Sequence, residues 1–330
     1  MTELVDSFRR TVKYMRVSLT DRCNLRCNYC MPAWGNHWME KDTLLSYDEM
    51  LRVIRLSAKR GVYKIRVTGG EPLVRKGCVD FIRQVGQVEG ITEVAMTTNA
   101  ILLKDHAQDL YDAGLRHLNI SLDSLNAEKF AAITRGNQLD RVWEGIQEAV
   151  KVGFPSIKIN AVAQKGVNDD EFVDFVNLTR DMRIDMRFIE FMPVSDWNNW
   201  QQKYISIDEI QKLITDGVGE LIPVYDGDAA AGPAENFRIP GYVGRVGFIH
   251  AISNHFCDTC NRVRLTADGK IRPCLFGKIE VDFREAIRGG ASDEELNELF
   301  DEVLQIKPDA HNINMSSPEK MLTSMTAIGG

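Results

Sequence analysis

No stretch of apolar residues in this chain approaches the roughly 20 needed to cross a bilayer. The opening MTELVDSFRR has no apolar core and carries Glu3 and Asp6, so it is expected to be neither a secretory signal nor a transit peptide. Excess positive charge is missing too. Lysine and arginine total 40 against 47 aspartate and glutamate, a net charge of −7. No broad nucleic-acid surface is therefore expected, and an anionic ligand must be held by a local basic cluster. There is no long-period repeat and no low-complexity segment. No conventional acid–base or Ser/His/Asp constellation stands out, which fits chemistry carried by a cofactor. Cysteine is too scarce and too clustered for a disulfide framework: there are seven, and six fall into two tight triads. That pattern suits metal or cluster binding in a reducing compartment such as the cytoplasm. Cys78 is left over and reads as a small buried apolar residue.

The 330 residues, 44% hydrophobic and 26% charged, are ordinary for a globular protein and suffice for one large α/β domain with a smaller one. Short segments rich in Val, Ile and Thr predict strands over 14–20, 63–69, 92–98, 116–123, 156–163 and 185–192. Amphipathic patterns between them predict helices over 46–61, 104–114, 140–153 and 168–182. The first has Ser46 and Glu49 in capping-box spacing, and the last opens on an Asn-Asp cap. Repeated βα units predict a parallel sheet, curled into a barrel or opened as a doubly wound sheet. From about Pro193 the pattern changes: a partly helical 195–214, a turn-rich 226–244, apolar β structure from 245, and an amphipathic helix over 292–308. Two domains are expected, 1–192 and 193–330.

The predicted strand ends all deliver polar or liganding groups: the cysteine loop after the first, Gly69-Gly70-Glu71-Pro72 after the second, Thr97, Thr98 and Asn99 after the third, Ser121, Asp123 and Ser124 after the fourth, Lys158 and Asn160 on the fifth, and Glu190 and Met192 on the sixth. In parallel α/β barrels active sites form on that rim. The first loop, DRCNLRCNYC, places Cys23, Cys27 and Cys30 as CxxxCxxC. A [4Fe–4S] cube normally takes four cysteines, so three leave one iron open to a small molecule. Structural zinc wants four closed ligands, and the nearest fourth candidate is His37.

This motif, with the aromatic Tyr29 before its last cysteine, resembles the radical S-adenosylmethionine (SAM) superfamily. The resemblance implies that the open iron chelates SAM. An electron from the cluster then yields a 5′-deoxyadenosyl radical that removes a hydrogen atom from the substrate.

The second triad is Cys257 and Cys260 in a CxxC, then Cys274. The segment between them predicts a hairpin turning at Asp268-Gly269, with Ala267 opposite Lys270 and Cys274 opposite Val263. Spacing alone leaves two readings open: zinc with His255 as fourth ligand, or another cluster with an open iron. Arg262 and Arg264 share one strand face beside it, suited to an anion.

The two triads, the GGEP loop, the CNRVRLT and GKIRPCLF segments and the terminal Gly329-Gly330 together resemble the GTP 3′,8-cyclase family of molybdenum-cofactor biosynthesis along nearly the whole chain. Neither cysteine motif departs from that family. The resemblance implies an incomplete (β/α)6 TIM-like barrel with a C-terminal α+β extension closing its mouth. It implies two [4Fe–4S] clusters and SAM, with GTP converted to 3′,8-cyclo-7,8-dihydro-GTP by abstraction of the ribose 3′ hydrogen while the late cluster binds guanine. SAM contacts carry over to Tyr29, Gly70, Ser121 and Met192. GTP contacts carry over to Arg16, Arg66, Thr97, Lys158, Arg262, Val263 and Arg264, with the Gly-Gly tail reaching the site. Lys64, Glu71 and Asn160 are further candidates. Strand alternation supports Arg66 independently, because Lys64, Arg66 and Thr68 share a face with the end that runs into Gly70. Buried cations there call for a bound anion. The family further implies an external electron donor, a homodimer, and cyclic pyranopterin monophosphate synthase acting downstream. The nearest alternative is a peptide-modifying radical enzyme, which would usually carry a longer C-terminal cysteine array. The alternative from another class is a zinc-stabilised binding module.

Overall fold

The computed structural model describes residues 2–31, 38–193, 200–225, 232–313, 315–316 and 325–329. Six strands run in sequence order and in parallel: β1 (Tyr14–Ser18), β2 (Lys64–Thr68), β3 (Glu93–Thr98), β4 (His117–Ser121), β5 (Ser156–Ala163) and β6 (Asp185–Glu190). Helices α1 (Tyr47–Lys59), α2 (Cys78–Gly86), α3 (Leu103–Asp112), α4 (Ala127–Thr134), α5 (Leu139–Val152) and α6 (Phe172–Asp181) return the chain between them.

One set of alternate strand residues, including Ile65, Val67, Met96, Leu118, Ile120 and Ile159, is buried with the apolar faces of the helices, such as Phe81, Leu110, Ile146 and Phe175. Each such side chain contributes about 1.5–3 kcal/mol on burial. This outer layer carries the stability. The alternate residues on the inner face are thereby free to be polar.

The Ser46–Glu49 capping box of α1 is present as expected. α6 begins at Phe172, four residues later than the Asn-Asp signal predicts. Asn168 is used elsewhere: its amide donates to the carbonyls of Asp123 and Val162, and its oxygen accepts from Gln164 N. It locks the loops after β4 and β5 together instead of capping a helix.

The remaining third does not build a separate sheet. α7 (Ile207–Val218) leads to β7 (Ile222–Val224), β8 (Glu235–Arg238) and β9 (Arg245–Ile249). β9 joins β6 in parallel, and β8 and β7 follow it antiparallel. The chain then crosses to the other edge. There β10 (Arg262–Leu265) joins β1 in parallel, and β11 (Lys270–Arg272) and β12 (Val281–Asp282) extend it antiparallel. The result is one open twelve-stranded sheet with β12 and β7 at its ends, consistent with a partial barrel. α8 (Phe283–Arg288), α9 (Asp293–Gln305) and the short α10 (Met325–Ile328) complete it.

The late hairpin corrects one expectation. Arg264 pairs with Arg272 and Leu265 with Ile271, so the register is one residue off the expected one. Thr266 N donates to Lys270 O and Gly269 N to Thr266 O, closing a three-residue loop over Ala267, Asp268 and Gly269. Gly269 sits at φ +86°, the left-handed position such loops place third. Carried on, this register puts Cys274 opposite Arg262, not Val263.

Candidate active site

The first cysteine loop follows β1 and is pinned to the end of α4 by Arg26 N on Thr134 O and Asn28 N on Ile133 O. Cys30 N and Met31 N both donate to Cys27 O, which winds the CxxC into a tight turn. Cys23, Cys27 and Cys30 line one cavity of about 110 Å³ with Gly70, Thr97 and Ser121. Burial pushes the Cys23 thiol up to about 11, and drives Cys27 and Cys30 higher still, with neighbouring thiols adding to the effect. Thiols held this close need a cation to become thiolates.

Among the described residues no three His, Cys, Asp or Glu side chains converge as the ligands of a single ion would. Each thiolate of a cube binds its own iron, so three cysteines on one cavity suit a [4Fe–4S] cluster with one open iron. His37 lies outside the described residues.

The GGEP loop packs directly on the start of the cysteine loop. Gly70 N donates to Thr20 O and Glu71 N to Arg22 O. A Cβ on Gly70 would meet Arg22 O at 2.2 Å and Asp21 O at 2.6 Å. Glycine is required here by the backbone of Asp21 and Arg22. Glu71 is fully engaged: Oε1 accepts from Leu73 N and Thr98 Oγ1, and Oε2 from Asn99 N at 2.7 Å. Burial nonetheless lifts its carboxyl to about 7. Its role in the structure is to tie this loop to the end of β3. Gly70→Ala is expected to cost about 1–3 kcal/mol in urea unfolding, since a backbone carbonyl cannot swing aside. Gly86→Ala is the control: its Cβ would meet only Ala113 O at 3.8 Å, and stability should hold or rise slightly.

A second cavity of about 250 Å³ adjoins the first and shares Tyr29, Cys30, Thr97, Ser121 and Asp123 with it. At the junction Tyr29 donates its hydroxyl to Asp123 Oδ2 at 2.6 Å, and Asp123 Oδ1 accepts from Val162 N. This cavity is basic. Register places Arg264 beside Arg16 and Arg16 beside Arg66 across β10, β1 and β2, and all three line it. Like charges directly opposite on neighbouring strands repel. Lys158 and Arg187 line the same space from β5 and β6.

Burial lowers the Arg16 guanidinium to about 10, with Arg66 and Arg262 adding to that. Burial likewise brings Lys158 down to about 7, helped by Arg187, Arg66 and Lys64. Tyr14 also faces this space. Its burial would raise the phenol, but the Arg66, Arg16 and Arg262 guanidiniums outweigh it and bring it to about 8. Lys64, buried, is paired with Glu93 at 2.6 Å. Thr97 Oγ1, Asn119 Oδ1 and Asn160 Oδ1 are buried without a hydrogen-bond partner. Such a cavity is built for a polyanion with further polar groups.

Residues flanking the late trio line the same space. Phe256, Arg262 and Leu275, each beside one of its cysteines or close to one, line the basic cavity. The Arg262 guanidinium lies 4.8 Å from the Phe256 ring. Burial alone would raise the Cys260 thiol, but Arg262 and Lys307 bring it down to about 7. Cys257 is raised by burial and by the other two thiols, against a hydrogen bond from the His311 backbone. Arg10, held by Asp6 at 2.7 Å, donates to Cys257 O at 2.7 Å from the far end of the chain. His255 packs on the His311 ring at 4.8 Å. The three thiols stand within electrostatic reach of one another, with Arg262 and Lys307 beside Cys260.

The tail reaches this chamber. Arg264 Nη1 donates to Gly329 O at 2.6 Å, and Met325 lines both cavities. Gly330 lies outside the described residues.

Residues 17–179 match the family model for the radical SAM superfamily, and 184–313 match that for Molybdenum Cofactor Synthesis C. A curated GTP 3′,8-cyclase of Thermodesulfovibrio yellowstonii is 47% identical over 98% of this chain and 99% of its own length. The chain belongs to the GTP 3′,8-cyclase family. Another GTP 3′,8-cyclase, from Geobacter sulfurreducens, is 46% identical over 99% of this chain and 100% of its own. Among solved structures, Streptococcus suis SuiB bound to S-adenosylmethionine superposes with a TM-score of 0.60 at 14% identity. That match covers 83% of this chain and 64% of SuiB. At that identity the likeness is one of fold.

For this member of the cyclase family the structure gathers most of the candidate residues into the two joined cavities. Tyr29, Gly70, Ser121 and Met192 line one or both, and so do Arg16, Lys64, Arg66, Thr97, Lys158, Asn160, Arg262 and Arg264. Val263 does not: its side chain is in the outer core, which leaves only its backbone for a ligand. Glu190 is occupied by Tyr204 Oη and by Ile252 N and Ser253 N. Tyr14, Asn119 and Arg187 line the basic cavity and were not anticipated. The alternation that exposes Lys64 and Arg66 would have found Tyr14 and Arg187, since each starts or sits within a predicted strand on the inward parity.

Proposed function

We propose that this chain converts GTP to 3′,8-cyclo-7,8-dihydro-GTP, with Cys23, Cys27 and Cys30 holding the SAM-binding cluster and Cys257, Cys260 and Cys274 holding a second. The observation that carries this reading is the in-register row Arg264, Arg16 and Arg66 in a cavity that shares Cys30 with the first trio. When bound, the first cluster and SAM supply the electron and the 5′-deoxyadenosyl group that takes the ribose 3′ hydrogen. The protein's own residues do the rest of the positioning. Arg16, Arg66, Lys158 and Arg187 hold the triphosphate. Arg262 and Phe256 place the base beside the late trio. Met325 and Thr326 at the cavity lining, and Ile328 buried behind them, keep water out.

The division at 192/193 is then a functional one: the first part binds SAM, and the second brings the late cluster to the guanine while sharing the same sheet. Among the described residues no helix is long and apolar enough to cross a membrane. Work in the reducing cytoplasm as a homodimer, with an external electron donor and cyclic pyranopterin monophosphate synthase taking the product, completes the reading.

Anaerobic incubation with GTP, SAM and a strong reductant tests it. Formation of 5′-deoxyadenosine should depend on GTP; protein with both clusters intact that forms none, or forms it equally without GTP, is not a GTP cyclase. In the same assay Arg262→Ala and Arg264→Ala should each weaken GTP binding ~10–100-fold, the value of one charge-assisted hydrogen bond, while uncoupled SAM cleavage persists.

A further inference from the structure

Lys307 follows α9 and is 3% exposed. An ammonium group so enclosed ordinarily sits against a carboxylate. Among the described residues none pairs with it. Its Nζ donates to Pro273 O at 2.9 Å, to Arg262 O at 3.1 Å and to Cys260 Sγ at 3.5 Å. Its position is therefore defined by the late trio: one bond to a cysteine sulfur, one to the carbonyl at the start of β10, and one to the carbonyl just before Cys274. The anion within its reach is the Cys260 sulfur once that sulfur is a metal ligand.

We propose that Lys307 is the counter-ion of the late cluster, a positioning residue that holds the Cys260 and Cys274 segments together and raises the cluster's reduction potential. The proposal rests on the reading that this trio binds a [4Fe–4S] cluster. Hydrogen bonds to cluster sulfur and local net charge are what set such potentials. A positive charge on one thiolate draws electron density from the cube. The cluster then accepts an electron more readily, and its open iron becomes a better acceptor for a nitrogen or oxygen lone pair. The burial of Lys307 keeps solvent from screening that effect.

The experiment uses the full chain, reconstituted anaerobically, with Cys23, Cys27 and Cys30 all changed to Ala so that only the late cluster is titrated. Iron content and a reductive titration followed by electron paramagnetic resonance are measured with Lys307, Lys307→Met and Lys307→Arg. The midpoint should move to more negative potential in Lys307→Met and stay near the original in Lys307→Arg. Loss of iron from Lys307→Met with retention in Lys307→Arg supports the proposal as well. An unchanged midpoint in iron-replete Lys307→Met overturns it, as does an equal shift or equal iron loss in both variants, which would reduce Lys307 to packing. Absence of iron in the form that keeps Lys307 would remove the cluster reading itself, and the proposal with it.

Discussion

Replacing Cys27 by alanine should abolish 5′-deoxyadenosine formation and, on the proposed two-cluster reading, take iron from about eight to about four per chain. Its thiol lies in the tight turn that also presents Cys30, and the thiols of Cys23 and Cys30 both act on it electrostatically. Two thiolates cannot hold a cube that already lacks a fourth protein ligand. The late trio lies elsewhere in the chain, Cys257 and Cys260 before β10 and Cys274 after β11, so iron bound there should remain. Iron still near eight in the Cys27→Ala protein would contradict the assignment. Two zinc ions and no iron in the unaltered protein would contradict both cluster sites.

The six parallel strands were legible because each obeys a strong local rule. Short β-branched runs bounded by turn residues placed β5 at its observed limits and the others within about two residues. α1 was legible because its cap is chemical, with Ser46 and Glu49 bonding each other's backbone. What the sequence hid depends on partners far along the chain. Nothing near Arg262 says that β10 will lie beside β1, or that β9 will lie beside β6. Asn168 looked like a cap because asparagine caps helices, yet its side chain bonds back to Gln164 and Val162 and across to Asp123, 45 residues away and near only in the fold. The hairpin register slipped by one because Asp-Gly signals a turn without choosing between two- and three-residue loops.

The site shows the same division. That each cysteine trio would gather was legible from spacing; what the late one holds was not, since its spacing left zinc and a cluster both open. The basic chamber was half legible: Lys64 and Arg66 on one strand predicted a charged inner face. The row that includes Arg16 and Arg264 arises only from pairing between strands about 250 residues apart in sequence. Lys307 and Arg10 reach the site from the two ends of the chain, where no local pattern marks them, and the Gly329 carbonyl was expected there only through the family resemblance.

GTP affinity should fall steeply as the pH rises from 7 to 9. In the empty chamber burial brings the Lys158 ammonium down to about 7, aided by Arg187, Arg66 and Lys64 and opposed by Asp185. A bound triphosphate restores its charge, so binding takes up a proton above pH 7 and weakens as protons become scarce. Complete dependence on that charge gives up to about 50-fold between pH 7 and 9. Tyr14 acts in the same direction. The Arg66, Arg16 and Arg262 guanidiniums outweigh its burial and hold the phenol at about 8, so above that pH a phenolate competes with phosphate for the same cations. It adds up to about tenfold over the window. His117 also faces Lys158, but burial lowers it, so it is neutral throughout this range. The terminal phosphate gains its last charge near pH 6, which works the opposite way and is complete before the fall begins. Equilibrium binding of GTP, measured without reductant so that no turnover intervenes, should therefore peak near neutrality. Lys158→Met should bind more weakly at pH 7 and lose most of the slope from 7 to 9, and Tyr14→Phe should make the part above 8 shallower while leaving the Lys158 slope in place. Slopes that survive both substitutions would place the titrating groups elsewhere and detach the triphosphate from this chamber.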